Sequence, residues 1–165
     1  MREIILIGHN LRSCHNVGSL LRTAEGLGID KVILSGYTPH PTHAHDRRLP
    51  HESAKITNQI HKTALGAETM VKWDYHHDIL PVIAKLKKDG WTVAAVEQTE
   101  DSKELPAYHP PQKIALLMGR EVEGVEKDVL EACDIALEIP MYGKKESYNV
   151  VQAAAMALYH CRFTP

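Results

Sequence analysis

The chain has 165 residues, 44% of them hydrophobic, with 19 lysines and arginines against 21 acidic residues and a formal net charge of −2. This length suffices for one domain with a real core, and the near-neutral balance excludes gripping nucleic acid by bulk charge, so any such contact must use a local basic patch. Cys14, Cys133 and Cys161 are odd in number and include no C-x-x-C pair, which argues against a disulfide framework or thiolate zinc site and suits a reducing cytoplasm.

Taken in order, short apolar runs alternate with amphipathic stretches. The opening run Glu3–Gly8 (EIILIG) is too short for a signal peptide and reads as a buried strand. Asn16–Leu27 is expected to be a helix, with Asn16 as N-cap and Gly28 as the stop. Lys31–Gly36 is a second strand, and Tyr37–His51, with three prolines and four histidines, a long loop. A helix over Glu52–Leu65, a short strand over Glu68–Asp74, a helix over Ile79–Lys88 and a strand over Trp91–Glu97 follow. Gln98–Gln112, carrying Pro106, Pro110 and Pro111, is expected to be irregular. Lys113–Met118 is a strand, Val125–Cys133 a helix and Ile135–Ile139 the last strand. A polar loop then leads into a helix from about Asn149 to Cys161 with almost no polar face, which predicts burial on several sides. This alternation implies a single α/β domain over residues 1–165, built on a mainly parallel sheet with helices on both faces. No stretch is long and apolar enough to span a bilayer, so a cytoplasmic protein without a membrane partner is expected.

In open parallel sheets ligands sit outside the carboxyl ends of the strands. Three polar stretches lie at such ends: His9–Arg22, Gly119–Gly124 and Met141–Asn149. They supply Asn16, Arg22, Glu121, Ser147 and Asn149, each of which also has a bland reading as a helix cap, dipole partner or solvated side chain. There is no G-x-x-x-x-G-K-[ST] loop, no G-x-G-x-x-G after a strand and no G-x-S-x-G elbow. The eleven histidines, several in the loop around His40, His43, His45 and His51, match no standard ligand spacing, so no metal is expected. Arg47, Arg48 and Lys55 accompany them and suggest contact with RNA.

Together the three stretches resemble the SpoU (TrmH) branch of the SPOUT RNA methyltransferases. Asn16-Val-Gly-Ser-Leu-Leu-Arg22-Thr-Ala-Glu-Gly-Leu-Gly28 matches N-x-G-x-x-x-R-T-A-x-x-x-G, and Leu117-Met-Gly119-Arg-Glu121-Val-Glu-Gly124-Val matches L-x-G-x-E-x-x-G-[LV]. Ile139-Pro-Met-Tyr-Gly143-Lys-Lys-Glu-Ser147-Tyr-Asn149-Val matches I-P-M-x-G-x-x-x-S-L-N-V, with Tyr148 in place of the usual Leu. The resemblance implies a C-terminal deep trefoil knot and a homodimer joined through the first and last helices. It also implies S-adenosylmethionine bound by Gly119, Ile139, Met141 and Tyr148, and methyl transfer to a ribose 2′-hydroxyl of RNA, tRNA before rRNA. Arg22 then stands as the catalytic arginine, supported by Asn16, Glu121, Ser147 and Asn149. Some members carry RNA-binding extensions at either end; here Arg12, Arg47, Arg48, Lys55, Lys144 and Lys145 are expected to supply the phosphate contacts. The alternative is an RNA-binding relative without methyl transfer.

Overall fold

A computed structural model describes residues 1–165. Seven strands form one sheet, parallel throughout: β1 (Glu3–His9), β2 (Lys31–Ser35), β3 (Trp73–His76), β4 (Thr92–Val96), β5 (Lys103–Glu104), β6 (Lys113–Met118) and β7 (Ile135–Glu138). Their spatial order is β3-β2-β1-β6-β4-β7-β5. Thus β6 is inserted between β1 and β4, and β7 between β4 and β5. The last third of the chain re-enters a sheet whose other strands come earlier, an arrangement compatible with C-terminal threading.

The helices are α1 (Cys14–Gly26), α2 (Pro50–Ala64), α3 (Ala67–Met70), α4 (Leu80–Lys88), α5 (Lys127–Ala132) and α6 (Val150–Phe163). Alternate strand residues point to opposite faces, which divides the interior in two. Ile4, Leu6, Val32, Leu34, Ile114 and Leu116 join α1, α2 and α6 in a 23-residue cluster, whereas Ile5, Ile7, Ile33, Ala115 and Leu117 meet α4 and α5 in a 10-residue cluster. Both faces are therefore covered, as the strand–helix alternation implies, and the central strands read as unbroken apolar runs because neither side meets water.

Four local expectations differ from the structure. Ser13, not Asn16, caps α1: its Oγ accepts from the Asn16 amide at 3.1 Å, and Asn16 lies inside the first turn. Glu68–Asp74 is not one strand, since Gly66 enters the left-handed region (φ 98°) and starts the short α3 before β3 begins at Trp73. The Gln98–Gln112 segment holds the two-residue β5, paired with β7, and a 3₁₀ turn at Leu105–Ala107. Finally, α6 is buried on one face only, through Val150, Ala154, Ala157, Leu158 and Cys161. Tyr159 and Phe163 stand 61% exposed on the other face, their rings 4.6 Å apart. The end of α6 is tied down by Arg162, which donates to the carbonyls of Arg2, Leu27 and Gly28 at 2.6–3.1 Å. No helix is long and apolar enough to cross a membrane.

Candidate active site at the strand ends

The carboxyl ends of β6, β4 and β7 and the loop entering α6 enclose a cavity of about 350 Å³. Its apolar wall includes Val96, Met118, Leu137, Ile139, Met141 and Ala153; its polar wall includes Glu97, Arg120, Glu121, Glu138, Glu146, Ser147 and Asn149. That size and mixture suit a small organic ligand. Four carboxylates face one arginine, so the wall complements a ligand bearing positive charge.

The loop after β6 is built for close approach. A Cβ on Gly119 would lie 2.6 Å from Val125 Cγ2 and 2.9 Å from the Val125 nitrogen, so only glycine lets the loop fold back here. Arg120 and Gly124 bridge across the turn, and Arg120 Nε donates to the Gly124 carbonyl at 3.1 Å. Gly124 sits at φ 74°, and a Cβ on it would come 2.4 Å from Glu97 Oε2. Glu97, just past β4, accepts from the Val125 amide through Oε2 and from the Gln98 amide through Oε1, both at 3.0 Å. On the other side Glu126 accepts from Asn10 Nδ2 at 2.6 Å, lies 3.6 Å from Arg120 Nε and faces His9 Nε2 at 3.4 Å. His9 is buried, with Nδ1 2.8 Å from the buried Ser35 hydroxyl, and burial holds its pKa below the ordinary value against the opposing pull of Glu126. Two carboxylates thus clamp the loop that presents Glu121.

The structure brings together most of the residues singled out from the sequence. Gly119, Glu121, Ile139, Met141, Ser147, Tyr148 and Asn149 all line the cavity. Glu121 accepts from Asn16 Nδ2 at 3.3 Å and meets the Arg12 backbone amide at 3.3 and 3.4 Å, joining the start of α1 to the cavity rim. Asn149 is also the N-cap of α6, its Oδ1 accepting from the Val151 amide at 2.9 Å. Tyr148 is 37% exposed, and its hydroxyl lies 3.5 Å from the Pro140 carbonyl, at the limit of a hydrogen bond. Arg22 is not among the lining residues: six residues beyond Asn16, about 9 Å along the axis, it faces solvent at a polar cleft between α1 and α2.

The basic residues divide. Arg12 pairs with Glu123 at 3.0 Å. Arg48 is tied to its own loop, donating to Asp46 and to the His40 and Pro41 carbonyls, and holds the Asp46 carboxyl well below its usual range. It drops out of the cations free to meet RNA. Arg47, Lys55, Lys144 and Lys145 are exposed and make no ion pair. His40, His43 and Asp46 bring potential ligand atoms within 4.8 Å of one another, yet Arg48 holds the carboxylate and sits 3.1 Å from His40 Nδ1, which places a cation where a metal would need lone pairs. Burial pushes the Cys133 and Cys161 thiols up to about 11, leaving them protonated and inert.

Sequence reasoning missed Glu97, Arg120, Glu126 and Glu138. Glu97 and Glu138 close apolar strands at their carboxyl ends, the position that singled out the other site residues. Nothing local marks the Asn10–Glu126 bond, which spans 116 positions.

Residues 3–159 match the model of the SpoU rRNA Methylase family. A relative from Neisseria meningitidis, named 23S rRNA (guanosine-2′-O-)-methyltransferase RlmB, is 30% identical over 162 residues, covering 96% of this chain and 58% of its own. Among solved structures, the AdoMet-bound rRNA methyltransferase from Sinorhizobium meliloti superposes with a TM-score of 0.80 at 19% identity, covering 98% of this chain and 57% of that one. A structure described as giving insights into the 2-OH methylation of C/U34 on tRNA has a TM-score of 0.75 at 22% identity, covering 97% of this chain and 94% of that one. The chain spans little more than half the length of the curated relatives it matches.

Proposed function

The chain belongs to the SpoU rRNA Methylase family, and on that premise we propose that it transfers a methyl group from S-adenosylmethionine to a ribose 2′-hydroxyl of RNA, with tRNA the favoured substrate. The observation that carries this reading is one cavity on which the Gly119–Gly124 and Met141–Asn149 stretches converge, joined to the His9–Arg22 stretch by the Asn16–Glu121 bond, with four glutamates against one arginine in its lining. The cofactor supplies a methyl group activated by a sulfonium centre. Glu97, Glu121, Glu138 and Glu146 favour that positive charge, and the apolar wall from Met118, Leu137, Ile139 and Met141 excludes water from around it. Ser147, Tyr148 and Asn149 close the outer side.

Arg22, which lies outside the cavity, holds a phosphate of the RNA beside the target ribose. It is no base, because its guanidinium stays protonated, so the hydroxyl proton passes to a phosphate oxygen or water as the methyl leaves the sulfonium for the ribose oxygen. Asn16 and Glu121, hydrogen-bonded to each other, connect the start of the arginine's helix to the cavity, so that the ribose is held in line with the methyl group. The exposed apolar face of α6, with Tyr159 and Phe163, supports the α6 side of a homodimer joined through the first and last helices.

Calorimetric titration of the purified protein with S-adenosylmethionine and its demethylated product tests the cavity assignment. Saturable binding of both is expected, tighter for the charged cofactor. Absence of binding to the folded protein contradicts the methyl-transfer reading and leaves an RNA-binding protein.

A further inference from the structure

The cleft between α1 and α2 is separate from the cavity and wholly polar. It encloses about 500 Å³ and is lined by Ser19, Arg22, Thr23, Lys62 and Thr63. Its shape follows from one glycine. A Cβ at Gly18 would lie 2.2 Å from both the Ile60 carbonyl and Thr63 Oγ1, so the two helices meet backbone to backbone at that point. Thr63 fastens the crossing by donating to the His15 carbonyl at 2.7 Å. Arg22 stands one turn beyond Gly18 on the same side of α1, and Lys62 adjoins Thr63, so the crossing sets both cations on one cleft.

Neither cation has an anion of its own. Glu25, three residues after Arg22, makes no ion pair with it, and no carboxylate lies within 4.0 Å of Lys62. Two like charges facing one cleft repel each other, and an anion between them removes that repulsion. A planar guanidinium, a point-like ammonium and the Ser19 and Thr23 hydroxyls are the donor set that grips phosphodiester oxygens. Lys55, seven residues before Lys62, projects from the same side of α2 about 10.5 Å away, is likewise exposed and unpaired, and continues the positive track.

We propose that Lys62, with Arg22 and the Ser19 and Thr23 hydroxyls, forms a binding site for the RNA backbone, and that Lys55 extends it along α2. This rests on the proposed function and names how the substrate is held: the cleft grips phosphates flanking the target nucleotide while its ribose enters the cavity.

The test is fluorescence anisotropy of labelled bulk tRNA binding to the wild type, Lys62→Ala and Lys62→Arg across a salt series, with inorganic phosphate as a competitor. Lys62→Ala is expected to weaken binding roughly three- to tenfold and to reduce the salt slope by about one unit. Lys62→Arg is expected to restore both, S-adenosylmethionine affinity to stay at the wild-type value, and phosphate to compete only at concentrations far above the RNA. Wild-type affinity and slope in Lys62→Ala overturn the site, as does phosphate binding that saturates at Lys62 without displacing, or being displaced by, RNA. If Lys62→Ala weakens binding while the wild type methylates no RNA, the site stands and the methyl-transfer reading falls. If methylation proceeds and Lys62→Ala changes nothing, the reverse holds.

Discussion

Glu97 holds the loop over the cavity through the Val125 amide and also accepts from the neighbouring Gln98 amide, both at 3.0 Å, and its carboxylate fills the space a side chain at Gly124 would need. Removing it in Glu97→Ala leaves the Val125 and Gln98 amides to water and frees the loop carrying Glu121. Affinity for S-adenosylmethionine, measured by calorimetry, should fall about tenfold, the effect of losing one to two hydrogen bonds. Glu97→Gln, which keeps one carbonyl acceptor, should recover some of that loss. Titration offers a second check. His9 and His40 are both held below the ordinary value of 6.5, chiefly by burial. Between the lowered folded values and 6.5 the unfolded chain binds more protons than the folded one. Stability therefore falls as pH drops through that window and is fully present only above it. Urea midpoints should decrease from about pH 7 to about pH 5, and less so in His9→Gln. Glu121, Ser147 and Asn149 were legible from the sequence because they follow strand ends in recognisable patterns. Glu126 was not, because its partners Asn10 and His9 reach it only through the parallel pairing of β1 with β6.

At the scale of elements, the sequence places every helix and strand of more than four residues to within a few positions, because apolar periodicity is a local property. It fails where a distant contact decides. Thus α6, with almost no polar face, is buried on one side only within the chain, whereas the cap at Ser13 in place of Asn16 is a local choice between two good capping residues. The strand order is equally hidden: nothing near β6 says that it enters between β1 and β4, and rules of chain connection favour unknotted paths. The α1–α2 crossing exposes the same limit, since Gly18 reads as an unremarkable helix residue until Ile60 is found against it. Gly18→Ala must push the two helix backbones apart and should cost roughly 1–3 kcal/mol, lowering Tm by about 2–4 °C per kcal/mol in a thermal melt. Because the crossing also sets the spacing of Arg22 and Lys62, RNA affinity should fall in the same variant while S-adenosylmethionine affinity holds.

For the whole molecule, the uncovered face of α6 and the position of Arg22 away from the cavity make the assembly integral to the functional account. Tyr159 and Phe163 are large, adjacent and 61% exposed, a patch that a second copy would bury. Light scattering during gel filtration should give twice the 18.5 kDa chain mass, and Phe163→Glu should shift the protein to monomer by burying a charge in that interface. The same view joins the near-neutral net charge to RNA binding. Unpaired cations are present on α1 (Arg22), α2 (Lys55, Lys62) and the loop before α6 (Lys144, Lys145), while four glutamates face one arginine in the cavity lining, so one molecule offers separate surfaces to a polyanion and to a cationic cofactor. The most direct test is to incubate the protein with S-adenosylmethionine labelled in its methyl group and with tRNA, digest the RNA to nucleosides and separate them. Label in a 2′-O-methylated nucleoside, absent with Arg22→Ala, is the predicted result; label in a methylated base, or label that persists undiminished without Arg22, contradicts the account.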